Sequence, residues 1–405
     1  MSYSAVTQKF LIASYCFAIV TAIAAPISTF IASIASIAML VTWILSGHLW
    51  QGLKYSASHP AGKMILVFFI WLMISAFYAD TAVQDKLITL YSWRPLFFSF
   101  LLLGMFYKVE WKKRLIYSYL VVMVIAALIS LVLWILDVHV RGGLASGIVM
   151  TNHTSQSMAF FVGVLCCLFL WIQTIGLQKK SILAVIIILF VVNIFFVSAS
   201  RSGYVALPVA VVFFLVNAYG FKKLPHILGG VMVVAILIAL SSNTLQERTK
   251  LALEEKTNAQ IDEQYSSIGV REIFRENALE LILQRPILGY GTSSFKSTYS
   301  EHVAKKYQDW RGVASSDPHN QYLFVWLENG VIGLFLFLAY IFVAIKSGVQ
   351  QKSYGLIAAS LLTGYVVTSL FNSHFKTFPE GHLLAFFVGC LLSNLPIKKG
   401  CSECL

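Results

Sequence analysis

Three cations stand where a positive charge needs a reason. Arg201 lies in Ser198-Ala-Ser-Arg-Ser-Gly203, a very short turn between two apolar runs. Arginine beside hydrocarbon is costly, so it either snorkels to the headgroups or serves a function. Arg271 and Arg275 are four apart and share one side of a helix. Glu272 is spaced to pair with Arg275, which makes Arg271 the better candidate for a ligand, near a helix start where backbone amides add positive potential. Guanidinium donors match phosphate oxygens in pairs. The competing reading is an ordinary charge on an amphipathic surface helix. His319 sits in Asp317-Pro-His-Asn320, just before an apolar run opens. A neutral imidazole there can take a proton from a hydroxyl near pH 7, with Asp317 orienting it or capping the helix. It is equally placed to be a cap or interface residue itself. His302, His374 and His382 also fall outward or near the outer edge and read as neutral controls.

Several other machines are excluded by their missing parts. No Walker motif, no HExxH and no Asp-x-Asp pair occurs, and Asp80 and Asp85 read as solvated loop charges. No metal and no cofactor is therefore expected. Leu288-Gly-Tyr-Gly-Thr292 has the look of a potassium filter but lacks its threonine-valine, and reads as a turn. Asn152-His-Thr154 fits a glycosylation acceptor only as a common triplet. Cys401 and Cys404 have metal or redox spacing, yet two ligands cannot complete a zinc site, and no disulfide framework is implied.

The elements that must position these groups are set by composition. Of 405 residues, 58% are apolar and only 12% charged, with a mean hydropathy of +0.76. So few charges cannot cover a soluble surface, which makes this an all-α integral membrane protein. Apolar runs near 9–25, 27–46, 64–79, 95–107, 115–136, 156–175, 182–199, 203–219, 226–241, 321–345, 354–371 and 380–397 predict about twelve transmembrane helices. Residues 1–241 hold helices one to nine, 242–320 a large outward loop with an amphipathic helix, 321–397 the last three, and 398–405 a cytoplasmic tail. Alternate connections place Lys9, Lys54, Lys63, Lys108, Lys112, Lys113, Arg114 and the later lysines at 179–180, 222–223, 346, 352 and 398–399 on one side. The short connections opposite carry only Lys86, Arg94, Arg141, Arg201 and Lys376. That bias puts both termini in the cytoplasm and accounts for the formal charge of +12 without nucleic acid. The 242–320 loop, with ten basic and eleven acidic residues, is long enough to be functional. Its helix is expected from Ser266 or Ser267 through Ile268 to Arg285, stopped by Pro286, with Val270, Phe274 and Leu281 against the bundle. Trp93, Trp134 and Trp326 on the outer side, and Trp43, Trp50, Trp111 and Trp171 on the inner, read as interfacial anchors.

The stretches Ala199-Ser-Arg-Ser-Gly203, Val270-Arg-Glu through Arg285-Pro-Ile-Leu-Gly-Tyr-Gly291, Pro318-His-Asn-Gln-Tyr-Leu323 and Glu328-Asn-Gly-Val-Ile-Gly333 together resemble the bacterial O-antigen ligase/polymerase superfamily. The chain is most similar to its O-antigen ligases. The resemblance implies a C-type glycosyltransferase-like membrane fold. It also implies transfer of a glycan from undecaprenyl pyrophosphate to the lipid A–core, at the periplasmic face of the inner membrane. Arg201 and Arg271 would then bind pyrophosphate and His319 would activate the acceptor hydroxyl, with Arg275, Asp317, Asn320 and Tyr322 in support. Two arginines can offset charge on the leaving pyrophosphate in the role a metal plays elsewhere. A polymerase or a protein O-oligosaccharyltransferase of the superfamily shares the donor. From another class, a transporter also suits twelve helices, although its binding groups belong near the midplane.

The charge asymmetry generates a topology test. A cysteine introduced at Gln260 should react with a membrane-impermeant thiol reagent applied to cells whose inner membrane is intact. Reaction only after that membrane is broken overturns the orientation.

Overall fold

Inside hydrocarbon a backbone amide has no water to bond, so an isolated apolar run must become a helix. The computed structural model describes residues 3–140, 142–198, 200–242, 246, 250 and 267–394, and among these there is no strand. Sixteen α-helices are described. The first seven are α1 (Tyr3–Ala24), α2 (Thr29–Leu45), α3 (Leu49–Ser58), α4 (Pro60–Tyr78), α5 (Val83–Ser92), α6 (Arg94–Met105) and α7 (Val109–Ile135). Next come α8 (His153–Gln173), α9 (Leu177–Val192), α10 (Arg201–Tyr219) and α11 (Leu224–Ser241). The chain continues through α12 (Ser267–Gln284), α13 (Phe295–Lys306), α14 (Gln321–Gln351), α15 (Ser353–Thr368) and α16 (Phe378–Leu392).

Each of the twelve apolar runs is helical over most of its described residues. Eight of the helices are long and apolar enough to cross a bilayer alone, and the number reaches ten if each of two bent pairs counts as one crossing. Those pairs are α2 with α3, bent by 108°, and α5 with α6, bent by 46°. Helices α15 and α16 have only 16 and 15 residues, below the roughly 20 that match a hydrocarbon core. Nearly all of their residues are buried among neighbours, so packing rather than lipid thickness sets their length. They pack on each other, with α15 also against α10 and α14, and α16 against α6. At the rim, α11 has no buried residue.

Several residues read as surface features belong to this interior. Trp93 and Trp43 are 0% and 1% exposed, and Trp111 is also buried. Trp93 meets the rings of Phe68 and Phe337 edge-on, so these three are core residues and not interfacial anchors. Lys112 is buried too, with its ammonium donating to the carbonyls of Leu391 and Ser393 and thereby closing the end of α16. Orphan carbonyls at a helix terminus take such a cation readily. Asn152 caps α8, accepting the Ser155 amide at 2.8 Å. Residues 395–405, with Cys401 and Cys404, as well as Arg141 and Ser266, lie outside the described residues.

The large loop is fastened to the bundle at a break in α14. Gly330 has φ 65° and ψ −175° inside that helix, a region open essentially to glycine alone. The break frees carbonyls that a continuous helix would use. Leu327 O accepts the Tyr290 amide at 2.9 Å and Glu328 O the Gly291 amide at 2.7 Å, while the Val331 amide turns to Pro286 O at 2.9 Å. Asn329 completes the joint, its Oδ1 accepting from Ser75 and Thr292 at 2.6 and 2.9 Å. Thus the Gly-Tyr-Gly turn and Glu328-Asn-Gly330 are two halves of one clasp. A Cβ on Gly330 would stand 1.9 Å from Ile287 O. Gly330→Ala should therefore cost at least about 2 kcal/mol and lower the detergent-solubilised Tm by several degrees. Gly229→Ala, where a Cβ meets nothing within 4 Å, should leave Tm unchanged or slightly raised.

Candidate active site

Once the clasp holds its C-terminal end, α12 lies with Phe274, Ala278, Leu281 and Ile282 buried and packs against α14. It begins at Ser267 and ends at Gln284, one residue short of the expected end and just before Arg285-Pro286. The Phe274 ring stacks on the His319 ring, with centroids 5.9 Å apart and planes at 16°. Arg271, one turn earlier on that helix, is half-buried. Arg275 instead is exposed and ion-paired with Glu272, as its spacing predicted.

His319 is held by its backbone. Its φ of 52° is positive, and its amide donates to Asp317 Oδ1 at 2.7 Å. That is an aspartate turn across Pro318. Asp317 thus neither caps α14 nor is it seen bonding the ring: it sets the chain path that delivers the ring. The cap of α14 is Asn320, whose Oδ1 accepts the amides of Tyr322 and Leu323 at 3.0 and 3.1 Å. Its Nδ2 donates to Leu370 O at 3.0 Å. Tyr322 donates its hydroxyl to Val366 O at 2.6 Å, tying α14 to α15. The polar side-chain atoms of Asn320 and Tyr322, two of the four expected supporting residues, are therefore engaged in holding the scaffold.

Arg201 opens α10, half-buried. The turn before it is preceded by a π-helical segment, Asn193–Val197, of a kind often found beside functional sites. A buried network pins that segment: Gln156 Nε2 donates to Asn193 Oδ1 and Ser130 Oγ, both at 3.0 Å. Next to Arg201, Ser202 Oγ accepts from Asn372 Nδ2 at 2.8 Å and lies 3.2 Å from His374 Nε2. Gly203 sits so close to α8 that a Cβ would fall 1.7 Å from Ser157 Oγ.

The connection between α15 and α16 joins the two halves of the site, and the sequence reading missed it. Ser373 Oγ donates to Asp317 Oδ1 at 2.8 Å, and Lys376 Nζ stands 3.3 Å from Asp317 Oδ2. Its neighbours Asn372 and His374 hold Ser202. Residues 372–376 therefore link the residue after Arg201 to the turn that presents His319. Lys376 had counted only as a topology charge. His374 is a correction: it is buried and bonded beside Arg201, so it cannot serve as a neutral control. The one available signal was a polar cluster, Asn372-Ser-His374 with Lys376, crowded into a short outward connection.

Burial holds His319 below the usual histidine range. Asp317 opposes that effect, while Arg271 and Lys376 add to it. A neutral imidazole is the form that can accept a proton, and the nearby cations Arg271 and Lys376 suit an anionic leaving group. Among the described residues, no three His, Cys, Asp or Glu side chains group closely enough to hold a metal ion.

Comparison with known proteins points the same way. Residues 186–338, from α9 into α14, match the family described as O-antigen ligase, and Arg201, Arg271 and His319 all lie within them. The chain is 26% identical over 226 residues to the O-antigen ligase of Salmonella typhimurium, covering 55% of this chain and 52% of that protein. It is also 26% identical over 184 residues to an uncharacterised Haemophilus influenzae protein, covering 42% and 45%. The matched stretch thus spans about half the length of these relatives. The superfamily resemblance drawn from the motifs is borne out.

The charges around His319 set the acid side of any activity that needs its neutral form. A lowered pKa keeps the base form present to lower pH. Lys376→Gln removes a cation that favours the neutral ring, so the acid limb of the kcat/KM profile should move to higher pH. A limb that stays in place or moves to lower pH overturns the electrostatic assignment.

Proposed function

We propose that the chain, whose residues 186–338 match the O-antigen ligase family, transfers a glycan from undecaprenyl pyrophosphate to the lipid A–core oligosaccharide. The reaction takes place at the periplasmic face of the bacterial inner membrane, with both termini cytoplasmic and residues 242–320 periplasmic. The observation that carries this reading is a stacked, neutral His319 within electrostatic reach of Arg271, on a turn whose Asp317 is tied through Ser373 and His374 to Ser202 beside Arg201.

In the proposed reaction His319 accepts the proton of an acceptor hydroxyl as its oxygen attacks the anomeric carbon of the donor. The carbon–oxygen bond to pyrophosphate breaks on the opposite side, so the anomeric configuration inverts. Undecaprenyl pyrophosphate leaves with the bonding electron pair. Arg201 and Arg271 receive the charge that develops on it, at a site where donors already fixed in place need little reorganisation. Guanidinium forks suit the pyrophosphate oxygens better than point charges do. The activated donor removes any call for ATP, and the arginines carry the electrostatic role a metal serves elsewhere.

The partners are the lipid-linked donor, the lipid A–core acceptor and the surrounding membrane lipids. Gene deletion followed by lipopolysaccharide gel analysis separates this reading from its relatives. A ligase loss leaves core without any O-chain, whereas a polymerase loss leaves core bearing one repeat.

Purified variants test the roles residue by residue. His319→Gln keeps hydrogen bonding but cannot take the proton, so turnover should fall on the order of 100-fold while donor binding survives. Arg201→Ala and Arg271→Ala should instead weaken donor use, with lysine restoring it only in part. Near-normal turnover by His319→Gln makes His319 positional and removes the base from the mechanism.

A further inference from the structure

A cavity of about 840 Å3 is lined in part by Asp317, the residue that accepts the His319 amide, and the reaction proposed above makes no use of it. Its volume falls within the roughly 300–1,000 Å3 of ordinary ligand sites. Helix α5 forms one wall. Asp85, Thr89 and Ser92, spaced for one side of that helix, line the cavity. Val83, Leu87 and Tyr91, spaced for the other side, are more than 60% exposed, as befits a face turned to lipid. Ser297 and Ser300 of α13 line it as well, together with Lys376 and Glu328.

Two of these groups have polar atoms that the protein leaves unsatisfied. Glu328 is 1% exposed, and its Oε1 accepts the Phe295 amide at 3.2 Å. Its Oε2 is buried with no hydrogen-bond partner, as is the hydroxyl oxygen of Ser300. Both atoms are shut off from the open space, so they mark a polar buried edge of the cavity and not its open lining. Carboxylates, a lysine and several hydroxyls around one space, with Ile88, Phe295 and Phe324 between them, match a sugar. Its hydroxyls donate to carboxylate oxygens and accept from ammonium, and its C–H faces lie on apolar surface.

We propose that this cavity binds the glycan of the acceptor, an inference that rests on the ligase reading above. The cavity shares Asp317 with the turn that presents His319, while among the described residues neither Arg201 nor Arg271 lines it. It therefore adjoins the proposed base and stands apart from the cations assigned to the donor pyrophosphate. The lipid-facing side of α5 lets a membrane-anchored acceptor reach it sideways from the bilayer.

The test fills the cavity from two walls, with Thr89→Trp and Ser297→Trp in the full-length protein reconstituted in nanodiscs. Two measurements are made on each variant that retains the wild-type Tm. The first is initial rate with acceptor varied at saturating donor, and then the reverse. The second is calorimetric binding of the lipid-free core oligosaccharide. Acceptor KM should rise about tenfold, with kcat within about twofold and donor KM unchanged, and oligosaccharide affinity should fall by a similar factor. Unchanged acceptor KM and oligosaccharide affinity overturn the proposal, and so does a rise confined to donor KM. If the wild type ligates normally and the variants match it, the cavity assignment fails and the ligase reading stands. If the wild type does not ligate, yet binds the oligosaccharide and loses it in both variants, the ligase reading fails and the glycan site stands.

Discussion

The interruption of α14 at Gly330 is the constraint on which the placing of α12 and the turn after it depends. A continuous helix would satisfy its own carbonyls and offer the preceding loop nothing to hold. By breaking there, it presents the carbonyls of Leu327 and Glu328 to the amides of Tyr290 and Gly291. Asn329 is drawn into a buried cluster with Ser75 and Thr292, and Trp71 donates to Asn329 O at 3.0 Å. In water such bonds are marginal. Here they lie at the junction of helices α4 and α14, where an unmet donor has no solvent to fall back on. The clasp fixes where α12 ends, and so fixes where Arg271 and Phe274 stand relative to His319.

The site itself is assembled by short-range electrostatics on that frame. Asp317 is the hub: it turns the chain at His319, accepts from Ser373 and pairs with Lys376. Beside the His319 ring the Asp317 carboxylate is set against the cations Arg271 and Lys376, while burial keeps the histidine in its neutral form. These two properties are usually in competition, because a carboxylate near a histidine favours the imidazolium. Here Arg271 and Lys376 act against it, and desolvation acts in the same direction. The supporting residues divide accordingly. Asn320 and Tyr322 hold the helix start in place, and Arg275 is spent in a solvent-exposed pair with Glu272.

Where expectation and structure part, the cause is the same each time. Trp43, Trp93 and Trp111 lie at the ends of apolar runs, which is where interfacial anchors also lie, and hydropathy alone does not separate the two. Packing does: Trp43 occupies the space beside Gly52, where a Cβ would meet its ring at 2.3 Å. His374 and Lys376 occur in a connection too short to show any periodicity. Their importance comes from partners elsewhere in the chain.

What the sequence determined by itself was everything that depends on local composition and spacing. Twelve apolar runs had to be helices because an isolated run in lipid can satisfy its own backbone amides in no other way. Arg271 and Arg275 had to share a helix with Glu272, and the pairing of Arg275 with Glu272 follows from a separation of three. Arg201, Arg271 and His319 stood out because cations and a proline-fixed histidine at membrane edges are chemically conspicuous. The tertiary structure alone decided which of these meet. The contact between His374 and Ser202 spans 172 residues, and the bond from Ser75 to Asn329 spans 254. Neither leaves a trace in periodicity, since a helix repeats every 3.6 residues and carries no record of its neighbours. The break at Gly330 is the intermediate case. Its glycine is visible in the sequence, yet its use becomes apparent only when the loop is seen donating to the carbonyls it frees.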